Sequence, residues 1–253
     1  MLRRVIASEV DEKFNPFHDR KWNLVAIGVP RVNPNNQRRP TLNTKEMTTL
    51  VSKAEGQYQM LYFFCAVTGM RVSEAVALEI DMHMQTDCSI VYVRQQREKS
   101  VNRVKEHLKT ESGCRDVDIH PDAAAILRNF VGSRMNGFLF RTANGSMLDP
   151  GNVARDSLRP ILAKMGKGQV GTRFNIFRRF REAVLQRGDA RQILIDYWMG
   201  HSSVSMGDRY GRQLVEDIEY RQDQVKKVGL GFELPPALFG LHGLQIVENS
   251  GAA

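Results

Sequence analysis

In CSIVYVRQQREKSVNRVKEHLKTESGCRDVDIH (88–120) the apolar residues stop recurring at helical spacing and begin to alternate. CSIVYVRQQ (88–96) is β-branched and aromatic, VNRVKEHLK (101–109) alternates, and CRDVDIH (114–120) alternates strictly, with Val117 and Ile119 on one side. Side chains of a strand point to opposite faces with period two, so three short strands separated by polar turns predict one small antiparallel sheet. Upstream the period is helical. Met47, Leu50 and Val51 follow Thr44, a residue type that caps helix starts, and QYQMLYFFCAVT (57–68) is apolar nearly all round, as a buried helix is. Gly69 interrupts it, and RVSEAVALEI (71–80) resumes a helical pattern. Downstream, PDAAAILRNFVGS, NVARDSLRPILAKMG, FRRFREAVLQRG and DARQILIDYWMG all read as helices, the last three ended by glycine. VEDIEYRQDQVKKVG (215–229) predicts a charged, exposed helix, followed by a Gly/Pro/Leu tail. The fold class is mainly α with a small antiparallel β-sheet (α+β).

The first 13 residues read as a single helix, a remnant of something larger, and 14–43 as a linker with four prolines and the basic pair Arg38 and Arg39. Residues 44–215 form the main domain and 216–253 a C-terminal helix and tail. The chain has 253 residues, 42% hydrophobic and 25% charged, which is enough to bury a core. No stretch approaches the roughly 18 apolar residues of a membrane span. Three scattered cysteines (Cys65, Cys88, Cys114) form no CxxC pair, which argues against a zinc ribbon or a disulfide scaffold and for a reducing cytosol. With 36 Lys and Arg against 28 Asp and Glu, the net charge of +8 attracts polyanions, nucleic acid first among them.

Four separated segments combine basic residues with candidate acids and nucleophiles. In TGMRVSEAVAL (68–78), Arg71 stands at a helix start, where outward N–H groups also suit a phosphate, and Glu74 is placed to hold it. In HLKTESGCRDVDIH (107–120), Lys109 stands at a turn between strands, where its ammonium can reach a ligand as donor or general acid. In FNIFRRFREAVLQRG (174–188), Asn175 and Arg178 lie three apart on one face, and four arginines (Arg173, Arg178, Arg179, Arg181) make the helix start basic. In WMGHSSVSMGDRYGR (198–212), His201 follows the helix-ending Gly200, and Tyr210 comes nine positions later. Taken alone, each segment has a plainer reading: an ordinary i,i+3 salt bridge, a solvated hairpin lysine, a solvent-facing arginine row, a structural His or Tyr. Together they supply phosphodiester transfer. Two guanidinium groups neutralise the non-bridging oxygens of a phosphorane, a lysine protonates the leaving oxygen, and a phenol attacks phosphorus. No compact Asp/Glu/His metal motif is present in the sequence, and the chemistry needs no cofactor.

In this order the segments resemble the tyrosine recombinases, the phage integrase family, over roughly residues 41–215. TGMRVSEAVAL is similar to the family's first-arginine box, with Arg71 and the supporting Glu74. HLKTESGCRDVDIH is similar to its β-hairpin lysine segment, with Lys109 followed by Arg115. MGHSSVSMGDRY is similar to its Gly-His box and nucleophile, so His201 and Tyr210 take those places. The 23 positions from Arg178 to His201 favour Arg178 over Arg179 as the second arginine.

The resemblance implies a catalytic domain of integrase type, with Arg71, Lys109, Asn175, Arg178, His201 and Tyr210 as catalytic residues. Arg173, Arg179, Arg38 and Arg39 are expected on DNA. It implies double-stranded DNA as partner, self-association on DNA as a tetramer, no membrane, and a cytoplasmic, nucleoid-associated site of action. Residues 1–13 would be the last helix of the family's core-binding domain, and the tail after Tyr210 would serve assembly. Asn175 departs from the family, which has histidine there; an amide hydrogen-bonds a phosphate oxygen but exchanges no proton near neutral pH. Three other outcomes stay open: a DNA-binding member impaired in catalysis, a type IB topoisomerase-like enzyme, and a helical protein with basic patches and no nucleic-acid role.

Overall fold

Asn43 accepts a hydrogen bond from the Glu46 amide while Glu46 accepts one from the Asn43 amide, a reciprocal cap that starts helix α1 (Thr44–Lys53). The cap falls one residue before the expected Thr44, whose hydroxyl instead donates to the Gly231 carbonyl. The computed structural model describes residues 40–98, 103–105, 113–168, 173–201 and 208–238, within one compact unit. The predicted helix of 1–13, nearly all of the 14–43 linker, and Arg38 and Arg39 lie outside the described residues.

Helix α2 (Gly56–Thr68) is buried from Gln59 to Thr68, as its all-round apolar sequence requires. Gly69 ends it in the left-handed region, at φ 68°. The next helical pattern is cut short: α3 spans only Val72–Ala75, and α4 (Ile80–His83) follows a turn. Between the two, Glu79 forms a lone bridge to Phe138.

The single three-stranded sheet expected from 88–120 is instead two two-stranded ladders. β1 (Ile90–Val93) pairs antiparallel with β4 (Arg115–Asp118), so that Ile90 faces Asp118 and Val93 faces Arg115. β2 (Gln96–Arg97) pairs with β3 (Val104–Lys105). Between the ladders, the buried Gln95 amide donates to the Ala77 carbonyl and to Glu79, and Arg94 crosses to the Arg115 carbonyl and Asp116. The chain therefore leaves the first ladder at Arg94 and Gln95. Alternation predicts strands but not which neighbour they take.

His120 caps α5 (Pro121–Val131), with Pro121 at its first position. Asp149 caps a continuous helical run made of α6 (Pro150–Val153), a π-helical turn (Ala154–Leu158) and α7 (Arg159–Lys164). Pro160 has no amide to donate to the preceding turn, and the wider π turn directly before it accommodates the missing bond. Then come α8 (Asn175–Arg187), α9 (Gln192–Met199), α10 (Asp208–Glu216) and α11 (Ile218–Val228).

α2 packs along α8 at the centre of the main core, where Tyr62 stacks on Phe177 with ring centroids 5.4 Å apart. A smaller cluster around Leu194, Ile195, Trp198, Met199 and Val225 joins α9 to α11. The helix expected at 215–229 is α11 (Ile218–Val228), its first two expected residues ending α10, and it is anchored by the buried Arg221 and Val225. The tail also departs from expectation. Leu230, Phe232 and Leu238 enter the main core, and Phe232 meets Phe63 and Phe180 edge-on. No helix among the described residues is long and apolar enough to cross a membrane.

Candidate phosphate-binding site

Two distant parts of the chain meet at one buried carboxylate. Glu74, on α3, accepts from the Arg71 amide at 3.0 Å and from Arg71 Nη1 at 2.8 Å. From below, Arg115 Nη2 donates to Glu74 Oε2 at 2.8 Å. The exposures separate the roles: the side chains of Arg115 and Glu74 are 0% and 2% exposed, whereas that of Arg71 is 42% exposed. Arg71 is the member able to meet a ligand, and the other two set its direction. Burial works against charge on Glu74, but the two guanidinium groups outweigh it and hold the carboxyl below its ordinary range.

Arg178, on the inner face of α8, donates Nη1 to the Gly69 carbonyl at 3.2 Å and Nη2 to the Met199 carbonyl. It therefore ties the turn before Arg71 to the turn before His201. Burial, together with the like charges of Arg71 and Arg115, pushes its pKa down to about 10, so it remains cationic at neutral pH. A guanidinium has five N–H groups, so these two bonds leave others for a ligand. Gly69 makes the approach possible. A Cβ there would stand 2.6 Å from Met199 Cε and 3.2 Å from Arg181 Cβ.

The end of α9 has orphan carbonyls, as every helix end does. Arg115 Nε takes the Trp198 carbonyl at 2.7 Å, and Arg178 takes that of Met199. Gly200, at φ 61°, closes the helix, and the His201 amide turns back to the Asp196 carbonyl at 2.9 Å. The His201 ring is exposed, with Nδ1 3.8 Å from Asp196 Oδ1. Asn175 is the exposed first residue of α8, and Tyr210 is the third residue of α10.

Of the residues singled out from sequence, Arg71, Glu74 and Arg178 are thus brought together, next to the turn that bears His201. Lys109 lies outside the described residues. The four arginines read as one basic helix start have different fates. Arg173 is exposed, and Arg179 is half-buried with Nε donating to the Pro40 carbonyl at 2.9 Å. Arg181 is buried and donates to the Gly229 carbonyl at 2.7 Å; burial lowers its pKa to about 10. In the sequence Arg115 is only a residue following Lys109, yet it joins three of the site's segments. Its place on an alternating strand, on the same face as Val117, was the available sign of burial.

Residues 40–216 match the model of the phage integrase family. The chain belongs to the phage integrase family. Among solved structures, this family member resembles the Tn1549 transposon integrase in complex with a circular intermediate DNA (TM-score 0.53, 17% identity, 71% of this chain and 66% of that one). A form of the same integrase in complex with transposon right end DNA gives a TM-score of 0.51 at 19% identity, over 72% and 68% of the two chains. XerA recombinase gives 0.50 at 17% identity, over 89% and 68%. At these identities the likeness is one of fold, and the chain spans just under two thirds of the first of these neighbours. No curated protein matches the chain.

Proposed function

We propose that this integrase-family chain is a site-specific DNA recombinase that cuts and rejoins strands through a 3′-phosphotyrosyl intermediate. The observation that supports this most is the pairing of Arg71 and Arg178 across the Gly69 turn, buttressed by Glu74 and Arg115. Paired cations held in a partly dry site stabilise the charge that develops on a phosphorane's non-bridging oxygens. The solved integrase neighbours in complex with DNA point to the same substrate class.

In this reading the Tyr210 phenolic oxygen attacks phosphorus, and the bond from phosphorus to the 5′-oxygen breaks. Lys109 gives its proton to that oxygen, and the phenolic proton leaves to the His201 imidazole. A 5′-hydroxyl from a partner duplex then reverses the attack, and the phosphotyrosine retains the bond energy in between. Arg71 and Arg178 clamp the phosphate, Asn175 hydrogen-bonds it, and Arg173 and Arg179 border the duplex. Strand exchange between two duplexes calls for four protomers on DNA.

The test is a nicked suicide duplex. A covalent protein–DNA adduct should form and should vanish in Tyr210→Phe. A second reading, a DNA-binding member that does not cut, is favoured by the amide at Asn175, which offers no proton exchange. Binding of the duplex with no adduct would select it.

A further inference from the structure

α10, which carries Tyr210, is fastened to its own chain at both ends. Near its start, Gly211 lies so close to α9 that a Cβ there would run into the Ile193 side chain. Beyond its far end, Arg221 of α11 reaches back with Nη1 to the Val215 carbonyl, one of the orphan acceptors of the last turn of α10. The rest of the Arg221 fork is spent on Asp118, the last residue of β4. Nε lies 2.8 Å from Oδ2 and Nη2 lies 3.3 Å from Oδ1. The guanidinium lies over the Tyr197 ring, 5.3 Å from its centroid, and the Trp198 indole donates to the same Asp118 oxygen at 2.8 Å.

Both charged side chains are almost wholly buried, 3% exposed for Arg221 and 0% for Asp118. Such a pair gives little net stability over apolar residues of the same size, so stability alone does not account for it. What a rigid planar fork does supply is direction, because it joins a carboxylate to a carbonyl in one fixed geometry. The elements it joins matter for the site. Asp118 sits on the strand that begins with Arg115, and Trp198 passes its own carbonyl to Arg115. An unbroken series of polar contacts, buried between its two ends, therefore runs from α10 through Arg221, Asp118, Trp198, Arg115 and Glu74 to Arg71.

We propose that Arg221, held by Asp118, is a positioning residue that sets where α10, and with it Tyr210, stands relative to Arg71 and Arg178. This rests on the reading of Tyr210 as the nucleophile. A small misplacement of a reacting group costs rate while leaving binding intact, which gives the role its signature.

The experiment measures single-turnover adduct formation on the suicide duplex by the full chain, and separately the affinity for uncut duplex. Two variants are compared: Arg221→Met with Asp118→Asn, in which the amide oxygen still accepts from Trp198, and Arg221→Lys, which keeps a charge on Asp118 without the fork. Adduct formation should fall about 10- to 100-fold in the double variant, with affinity unchanged and Arg221→Lys intermediate. An unchanged rate, or a loss of rate matched by equal losses of affinity and folding, overturns the proposal. If the double variant does not fold, Arg221→Lys decides by the same split between rate and affinity. An unsubstituted chain that binds duplex but forms no adduct sinks the catalytic reading itself, and the positioning role with it. An unsubstituted chain that cuts at the same rate as the variants sinks only the role of Arg221.

Discussion

Arg115 illustrates how much one buried cation can do. Its guanidinium bonds Glu74, the Trp198 carbonyl and the Gly113 carbonyl, and none of its side chain reaches solvent. Arg115→Ala takes the buried partner from Glu74, leaving it only the half-exposed Arg71, and strips two buried carbonyls of their donor; it should cost about 3–5 kcal/mol in urea unfolding. Replacing both partners, as Arg115→Met with Glu74→Leu, should recover most of that stability but not adduct formation, because Arg71 would lose its guide. The same carboxylate sets an acid limit. The folded-state pKa of Glu74 lies below its ordinary 4.5, so its contribution is whole at neutral pH. That contribution disappears as acidification carries the pH from about 4.5 down through the folded value. Stability measured across that window should fall less steeply in Glu74→Gln than in the unsubstituted chain. At Asn175, a proton-exchanging side chain adds a second acceptor beside His201, so Asn175→His should raise the rate of adduct formation on the suicide duplex.

At the scale of elements, the turn from α2 to α3 decides whether the two arginines meet. Gly69 adopts φ 68° and lets Met199 and Arg181 approach, while its carbonyl accepts from Arg178. Gly69→Ala adds a left-handed alanine, which costs about 1–2 kcal/mol, and a steric conflict with Arg181 Cβ besides. We expect a lower melting temperature and slower adduct formation, with the rate suffering more than the stability loss explains. The ladders tell a different story. Strand propensity in 88–120 was legible, but pairing followed from Gln95 turning inward to Ala77 and Glu79, partners that lie 16 to 18 residues away. The first-arginine helix was shorter than its pattern because the backbone after Ala75 is committed to a turn and to the Phe138 bridge.

For the molecule as a whole, the segment after α11 is part of the core of its own chain. Thr44 and Thr48 donate to the carbonyls of Gly231 and Glu233, Arg181 holds that of Gly229, and Phe232 fills a gap between Phe63 and Phe180. Residues 229–238, part of the segment expected to serve assembly, thus pack on the core of their own chain; residues 239–253 lie outside the described residues. Phe232→Ala should destabilise the chain by about 3–5 kcal/mol, read by thermal or urea unfolding. The net charge of +8 has its own consequence. Affinity for duplex should fall steeply with salt, and Arg71→Ala should lower the log–log slope by about 0.9, the share of one neutralised phosphate.

Local pattern settled what depends on near neighbours: helices from 3.6-residue spacing, the glycine-ended turns at Gly69 and Gly200, the strands of 88–120, and the order of the boxes that led to the family. Which arginines face a ligand was decided only in three dimensions. Arg173 and Arg181 look alike in the sequence, yet one is exposed and the other is sealed against Gly229. The contacts that make the difference span 41 residues from Glu74 to Arg115, 103 from Asp118 to Arg221 and 109 from Gly69 to Arg178. A charge can be buried only where its partners already wait, and sequence periodicity carries no information about partners that distant.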